Sequence, residues 1–123
     1  MLYAILCYDS EDVISAWPKE KDEQVMRDLG AVQTKLTAEG KLGPVARLMP
    51  TTAAVTLRKG KDTLVIDGPF AETKEQLLGF FIVEGADLDD AVAAAKQLAA
   101  ASGSAGAYEV RPLAIFYPGS LKK

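Results

Sequence analysis

Apolar residues in this chain fall into short blocks with two kinds of spacing, and the spacing predicts the elements. Leu2 to Tyr8 is nearly continuous apolar and aromatic sequence, short enough for a strand, and the polar run Asp9-Ser10-Glu11-Asp12 ends it. From Lys19 to Glu39, Val25, Leu29, Val32 and Leu36 recur on one face of an amphipathic helix, with Pro18 near its start and Gly40 at its end. Gly30 within it costs about 1 kcal/mol against alanine, so a close contact is expected there. Leu42 to Met49 reads as a second strand. Ala53 to Arg58 and Thr63 to Asp67 read as a hairpin around Lys59-Gly60-Lys61-Asp62, and Val55 and Leu57 alternate with Thr56 and Arg58 as if one face were wet. Leu77 to Glu84 is the next strand. Asp87 is expected to cap a second helix, with Asp89 and Asp90 at the favourable end of its dipole, Leu88, Val92, Ala95 and Leu98 turned inward, and Gly103 beyond its end. Tyr108 to Tyr117 is the last strand, in which Pro112 argues for an edge or a bulge.

The order β, α, β, hairpin, β, α, β predicts one α+β domain over residues 1–123: a ferredoxin-like sheet with both helices on one face and an inserted hairpin. Such helices cover one side only, yet the strands are apolar on both. Leu78, Phe80 and Ile82 are expected to point one way, with Leu77, Phe81 and Val83 opposite. An apolar face of several hundred Å² is more than a soluble monomer usually exposes, and the economical cover is the same face of a second copy. The expectation is a homodimeric α/β barrel, with a cavity where the sheets and the hairpin meet.

Composition narrows the chemistry. The chain is 49% hydrophobic and 25% charged, as a globular domain is, and its net charge of -3 argues against nucleic acid or an anionic membrane as partner. Cys7 is alone, so no internal disulfide is available. The apolar start lacks a basic leader and no run reaches the ~18 residues of a spanning helix, which makes the cytoplasm the expected location. There is no histidine, which removes the usual general base near neutral pH and most zinc chemistry. No metal-ligand spacing is present, and neither metal nor cofactor is expected.

The most distinctive stretch is Asp67-Gly68-Pro69-Phe70-Ala71-Glu72-Thr73-Lys74-Glu75-Gln76-Leu77. Gly68 supplies unusual backbone angles, Pro69 stiffens the bend, and Thr73 with Gln76 has the spacing of a capping box for a short helical turn. This stretch, the Tyr-containing first strand ending in an acidic run, the long helix, and Glu109-Val110-Arg111-Pro112-Leu113 together resemble the YCII-related family, in the branch named for its Asp-Gly-Pro-Phe (DGPF) motif. The resemblance implies a dimeric ferredoxin-like barrel of mostly unassigned function, in a branch whose genes often adjoin or fuse with sigma factors of the extracytoplasmic-function type. Where the motif commonly continues Gln-Leu-Gly-Gly, this chain has Gln76-Leu77-Leu78-Gly79. Relatives proposed as enzymes, including a dehydrochlorinase of hydroxylated aromatics, share a His/Asp pair, and that mechanism has no counterpart here.

Each candidate has two readings. Asp67 is a carboxylate base or ligand anchor, or it accepts backbone N–H groups in an Asx-type turn. Arg111, on an otherwise apolar strand, needs a partner, which is Asp67 or an anionic ligand. Lys74 and Glu75 belong to a solvated turn, with Lys74 a ligand-side candidate through the motif. Tyr8 points its hydroxyl into the cavity or is buried and satisfied. Phe70 is a hydrophobic plug or a ligand stack, Trp17 anchors the loop before the long helix or the dimer rim, and Arg47 and Arg58 are surface charges. Cys7 has no cationic neighbour in sequence and is expected to be unreactive.

The leading expectation is a small-molecule-binding homodimer with a pocket lined by Tyr8, Asp67, Phe70 and Arg111. One alternative is a lyase or isomerase acting on a small aromatic or anionic substrate, with Asp67 as proton acceptor. Another is an accessory protein of a sigma factor.

Overall fold

In the computed structural model, which describes residues 1–122, the predicted order returns with a short extra helix and a 3-10 turn. The elements are β1 (Leu2–Asp9), α1 (Glu11–Ser15), α2 (Lys19–Ala38), β2 (Leu42–Arg47), β3 (Val55–Arg58), β4 (Leu64–Asp67), β5 (Gln76–Glu84), α3 (Leu88–Ala101) and β6 (Ala107–Pro112). Four strands form an antiparallel sheet in the order β2-β5-β1-β6, the ferredoxin-like α+β arrangement, and β3 with β4 forms a separate hairpin. β6 ends at Pro112 rather than Tyr117, because proline has no N–H for the ladder and β6 is an edge strand.

The extra helix grows out of the acidic run. Ser10 caps it by accepting the Val13 N–H, and Glu11 and Asp12 occupy its first turn, where the helix dipole favours negative charge. Five residues carry no apolar period, so only the cap announced it. At α3 the expected Asp87 cap is present, its carboxylate accepting the Asp90 N–H at 2.9 Å.

Both helices cover one face of the sheet. Tyr3 and Ile5 of β1 and Phe81 and Val83 of β5 pack on Leu36 of α2 and on Ala91, Ala94, Ala95 and Leu98 of α3. The alanines bring α3 close to the sheet. Leu88 and Val92, expected inward, lie instead along the margin of α3 that faces β6, and Leu88 is 50% exposed. Gly30 has no atom within 4 Å of where a Cβ would stand, so the expected close contact is absent.

On the face turned away from the helices, Ala4 pairs with Ile82 and Leu6 with Phe80. Leu6 and Phe80 are half-buried there. Ile82 is shielded by packing over Gly43, and Ala4 sits across from Arg111. A register shift changes one expectation: Cys7 lies opposite Gly79 and Tyr8 opposite Leu77, so Leu78 is an extra residue in β5. Leu77 therefore does not keep phase with Phe81 and Val83.

The hairpin stands out from this body and packs chiefly on itself. Its ladder places Val55, Leu57 and Val65 on one face and Leu64 and Ile66 on the other, all between 45% and 63% exposed. The expected division into a wet and a dry face is absent. No helix among the described residues is long and apolar enough to cross a membrane.

Candidate functional site

β5 is pulled in two directions at its start, and the result is a hollow. A Cβ on Gly79 would lie 2.2 Å from the Ala46 carbonyl oxygen, so glycine is what lets β2 approach β5 so closely. Gly79 and the small Cys7 opposite it both border a hollow beneath the N-terminal half of α2. A cleft of about 150 Å³ occupies that space. Its walls are largely apolar, from Trp17, Val25, Met26, Leu29, Val45 and Phe81.

The inner end is polar. Cys7 and Tyr108 lie directly across from each other on β1 and β6. Burial pushes the Cys7 thiol up to about 11, with a hydrogen bond to Tyr108 pulling partly back. The Tyr108 hydroxyl is likewise held above its ordinary range, first by burial and then by the neighbouring Cys7, with Ser102 opposing. Both groups are neutral near pH 7. Beside them lies Asp9, the buried charged residue of the described chain at 9% exposure. Its Oδ1 accepts the Ser10 N–H at 2.8 Å. Gly106 lies flush against it: a Cβ there would fall 2.8 Å from Asp9 Oδ2 and 2.0 Å from the Tyr8 carbonyl oxygen. At the rim, Arg47 faces Asp22 of α2 at 3.5 Å, so these two charges largely cancel.

Of the five residues proposed from sequence for the site, Tyr8 lines this cleft and Asp67, Phe70, Lys74 and Arg111 lie elsewhere. Asp67 ends β4 in an exposed position, and its carboxylate accepts no hydrogen bond among the described residues, so the Asx-type turn is not formed. Arg111 does not meet Asp67 within the chain. Its Nη2 lies 2.6 Å from Oε2 of Glu109, two residues back on the same face of β6. Phe70 is 72% exposed and plugs nothing in the protomer, although the Arg58 guanidinium stands 5.0 Å above its ring. Lys74 is in an exposed turn. Trp17 is a cleft wall, with the Lys21 ammonium 4.7 Å over its ring.

The distinctive motif has a structural task that its spacing did not foretell. Gly68 takes φ of 102°, donates its N–H to Ala54 and accepts from the Thr56 hydroxyl, which closes the hairpin base. No helical turn follows. Gln76 opens β5 in extended backbone, and its amide donates to the Thr73 carbonyl while accepting the Glu11 N–H at 2.9 Å. Glu11 in turn accepts both the N–H and the hydroxyl of Thr51, each at 2.6 Å. The end of β1, the start of β5 and the turn before the hairpin are thus tied together next to the cleft.

Asp9 and Tyr108 were not reached from sequence. Asp9 reads as one of four polar residues after a strand, and Tyr108 meets Cys7 only through strand register. Among the described residues no group of three His, Cys, Asp or Glu side chains is placed to hold a metal ion.

Comparison with known proteins agrees over nearly the whole chain. The model of the YCII-related domain matches residues 1–116. An uncharacterized protein of Rhizobium meliloti (strain 1021) is 63% identical over 122 residues, covering 98% of both chains.

Proposed function

This chain belongs to the YCII-related family, and from that premise we propose that it is a small-molecule-binding domain that works as a homodimer, with its ligand in the cleft beneath α2. The observation that carries the proposal is the cleft itself: apolar walls around about 150 Å³, with a polar corner of buried Asp9 and half-buried Cys7 and Tyr108. Ligand sites are commonly hollows of this make-up, mostly apolar with a few convergent polar groups. An engineered cavity of comparable volume admits a benzene ring, which sets the size of the occupant.

Pairing is supported by what the protomer leaves uncovered. Val55, Leu57, Leu64, Val65 and Ile66 lie on both faces of a projecting hairpin, and Phe70 sits at its base. Asp67, Lys74 and Arg111 are each exposed, so any part they take in binding depends on groups that a second copy brings to them. A fragment set followed by protein-detected NMR tests the ligand proposal against a Leu29→Phe variant that fills the cleft. Hits should shift cleft resonances and lose at least about tenfold in affinity in the variant. Hits indifferent to the filling, or a set with none, would overturn it.

A further inference from the structure

Asp9 is the feature of the cleft that its binding of an apolar molecule leaves unexplained. A carboxylate more than nine-tenths buried loses most of its hydration, which is costly unless hydrogen bonds or a cation replace the water. Ser10 supplies one N–H, to Oδ1. Among the described residues Oδ2 receives no hydrogen bond and is not sealed from solvent, and no lysine or arginine lies within ion-pair distance of either oxygen. Its nearest ionisable neighbours on the cleft wall, Cys7 and Tyr108, are neutral near pH 7. The lining contains one further acid and one base, Asp22 and Arg47, and they face each other at the rim. Asp9 is therefore the carboxylate of the lining that no cation of the described chain faces.

We propose that Asp9 seats a cationic group, and that the cleft takes a compact apolar molecule of about single-ring size carrying one protonated amine. The apolar walls hold the body, and the ammonium donates to Oδ2, the carboxylate oxygen that no group of the described chain engages. An anionic ligand meets Asp9 head on. A neutral one leaves it as it is. This inference rests on the cleft being a ligand site.

Three probes of one shape separate the two claims: benzylamine, benzyl alcohol and benzoate, titrated near pH 7 into the full chain. Trp17, the single tryptophan, lines the cleft and reports occupancy by its fluorescence. The amine should bind about tenfold tighter than the alcohol, as expected for exchanging a neutral for a charge-assisted hydrogen bond, with benzoate weakest. Asp9→Asn keeps an acceptor for the Ser10 N–H and should erase the gap, weakening the amine about tenfold and the alcohol by less than about twofold. An alcohol or benzoate that binds as well as the amine, or a gap that survives Asp9→Asn, overturns the cationic assignment and leaves the cleft as a site. If none of the three perturbs Trp17, the cleft reading falls and the assignment falls with it. The ranking is read on the unaltered chain, so it decides even if the variant folds poorly.

Discussion

Glu11→Ala should loosen the base of the hairpin more than the loss of an acidic surface residue would suggest. The carboxylate accepts the Thr51 N–H on Oε2 and the Thr51 hydroxyl on Oε1, each at 2.6 Å. Hydrogen bonds to a charged group contribute roughly 1.5–3 kcal/mol each, and the half-buried setting argues for the lower end. Two such bonds give about 3 kcal/mol, well above the ~0.5 kcal/mol of an ordinary surface substitution. The Gln76 bond to the Glu11 N–H is to backbone and survives the change. Urea melts at one fixed protein concentration measure the loss, so that any self-association contributes equally to both proteins. A cycle with Thr51→Val should show coupling of about 1–2 kcal/mol, and the Thr51 amide should exchange faster in Glu11→Ala. Additive single mutants, or a loss below about 0.5 kcal/mol, would refute the network.

Two glycines should respond in opposite directions: Gly30→Ala, with open space at its Cβ, should stabilise the chain by about 0.5–1 kcal/mol. Gly79→Ala would set a methyl 2.2 Å from the Ala46 carbonyl and should cost about 2–4 kcal/mol in a denaturant melt, an equal response of the two contradicting the packing described. With its thiol moved from 9.0 to about 11, Cys7 carries about a hundredfold less thiolate at pH 8 than an unperturbed cysteine, and iodoacetamide should label it correspondingly slowly until the chain is unfolded. The folded state holds that proton more tightly, so this group's contribution to stability is present below pH 9 and is lost as pH rises toward 11. Light scattering at micromolar concentration should give the mass of a dimer and, for Leu57→Lys with Val65→Lys, that of a monomer; a monomeric parent chain would end the pairing proposal.

The frame of the fold is legible because each element carries its own local signal. Short continuous apolar runs mark β1 and β5, Val25 to Leu36 mark α2, Gly60 and Asp62 mark the hairpin turn, and Asp87 marks the start of α3. What escapes the sequence depends on register or on distant partners. The extra residue Leu78 is visible only once Cys7 is known to face Gly79, and both of those residues line the cleft. Asp9 looks solvated in an acidic run until strand parity and Gly106 bury it. Arg111 has its partner two residues away on its own strand, a spacing that puts Glu109 on the same face and was within reach of the pattern. The motif around Asp67 drew attention to the hairpin base, where its glycine and glutamine build a joint beside the cleft.

The most direct test is a crystal structure of the protein grown with the best binder of the fragment set. Density for the molecule beneath α2, in contact with Trp17 and reaching toward Asp9, is the result expected. A ligand lodged instead between two hairpins against Asp67, Phe70 and Arg111, with the space below α2 empty, would contradict the site assigned here.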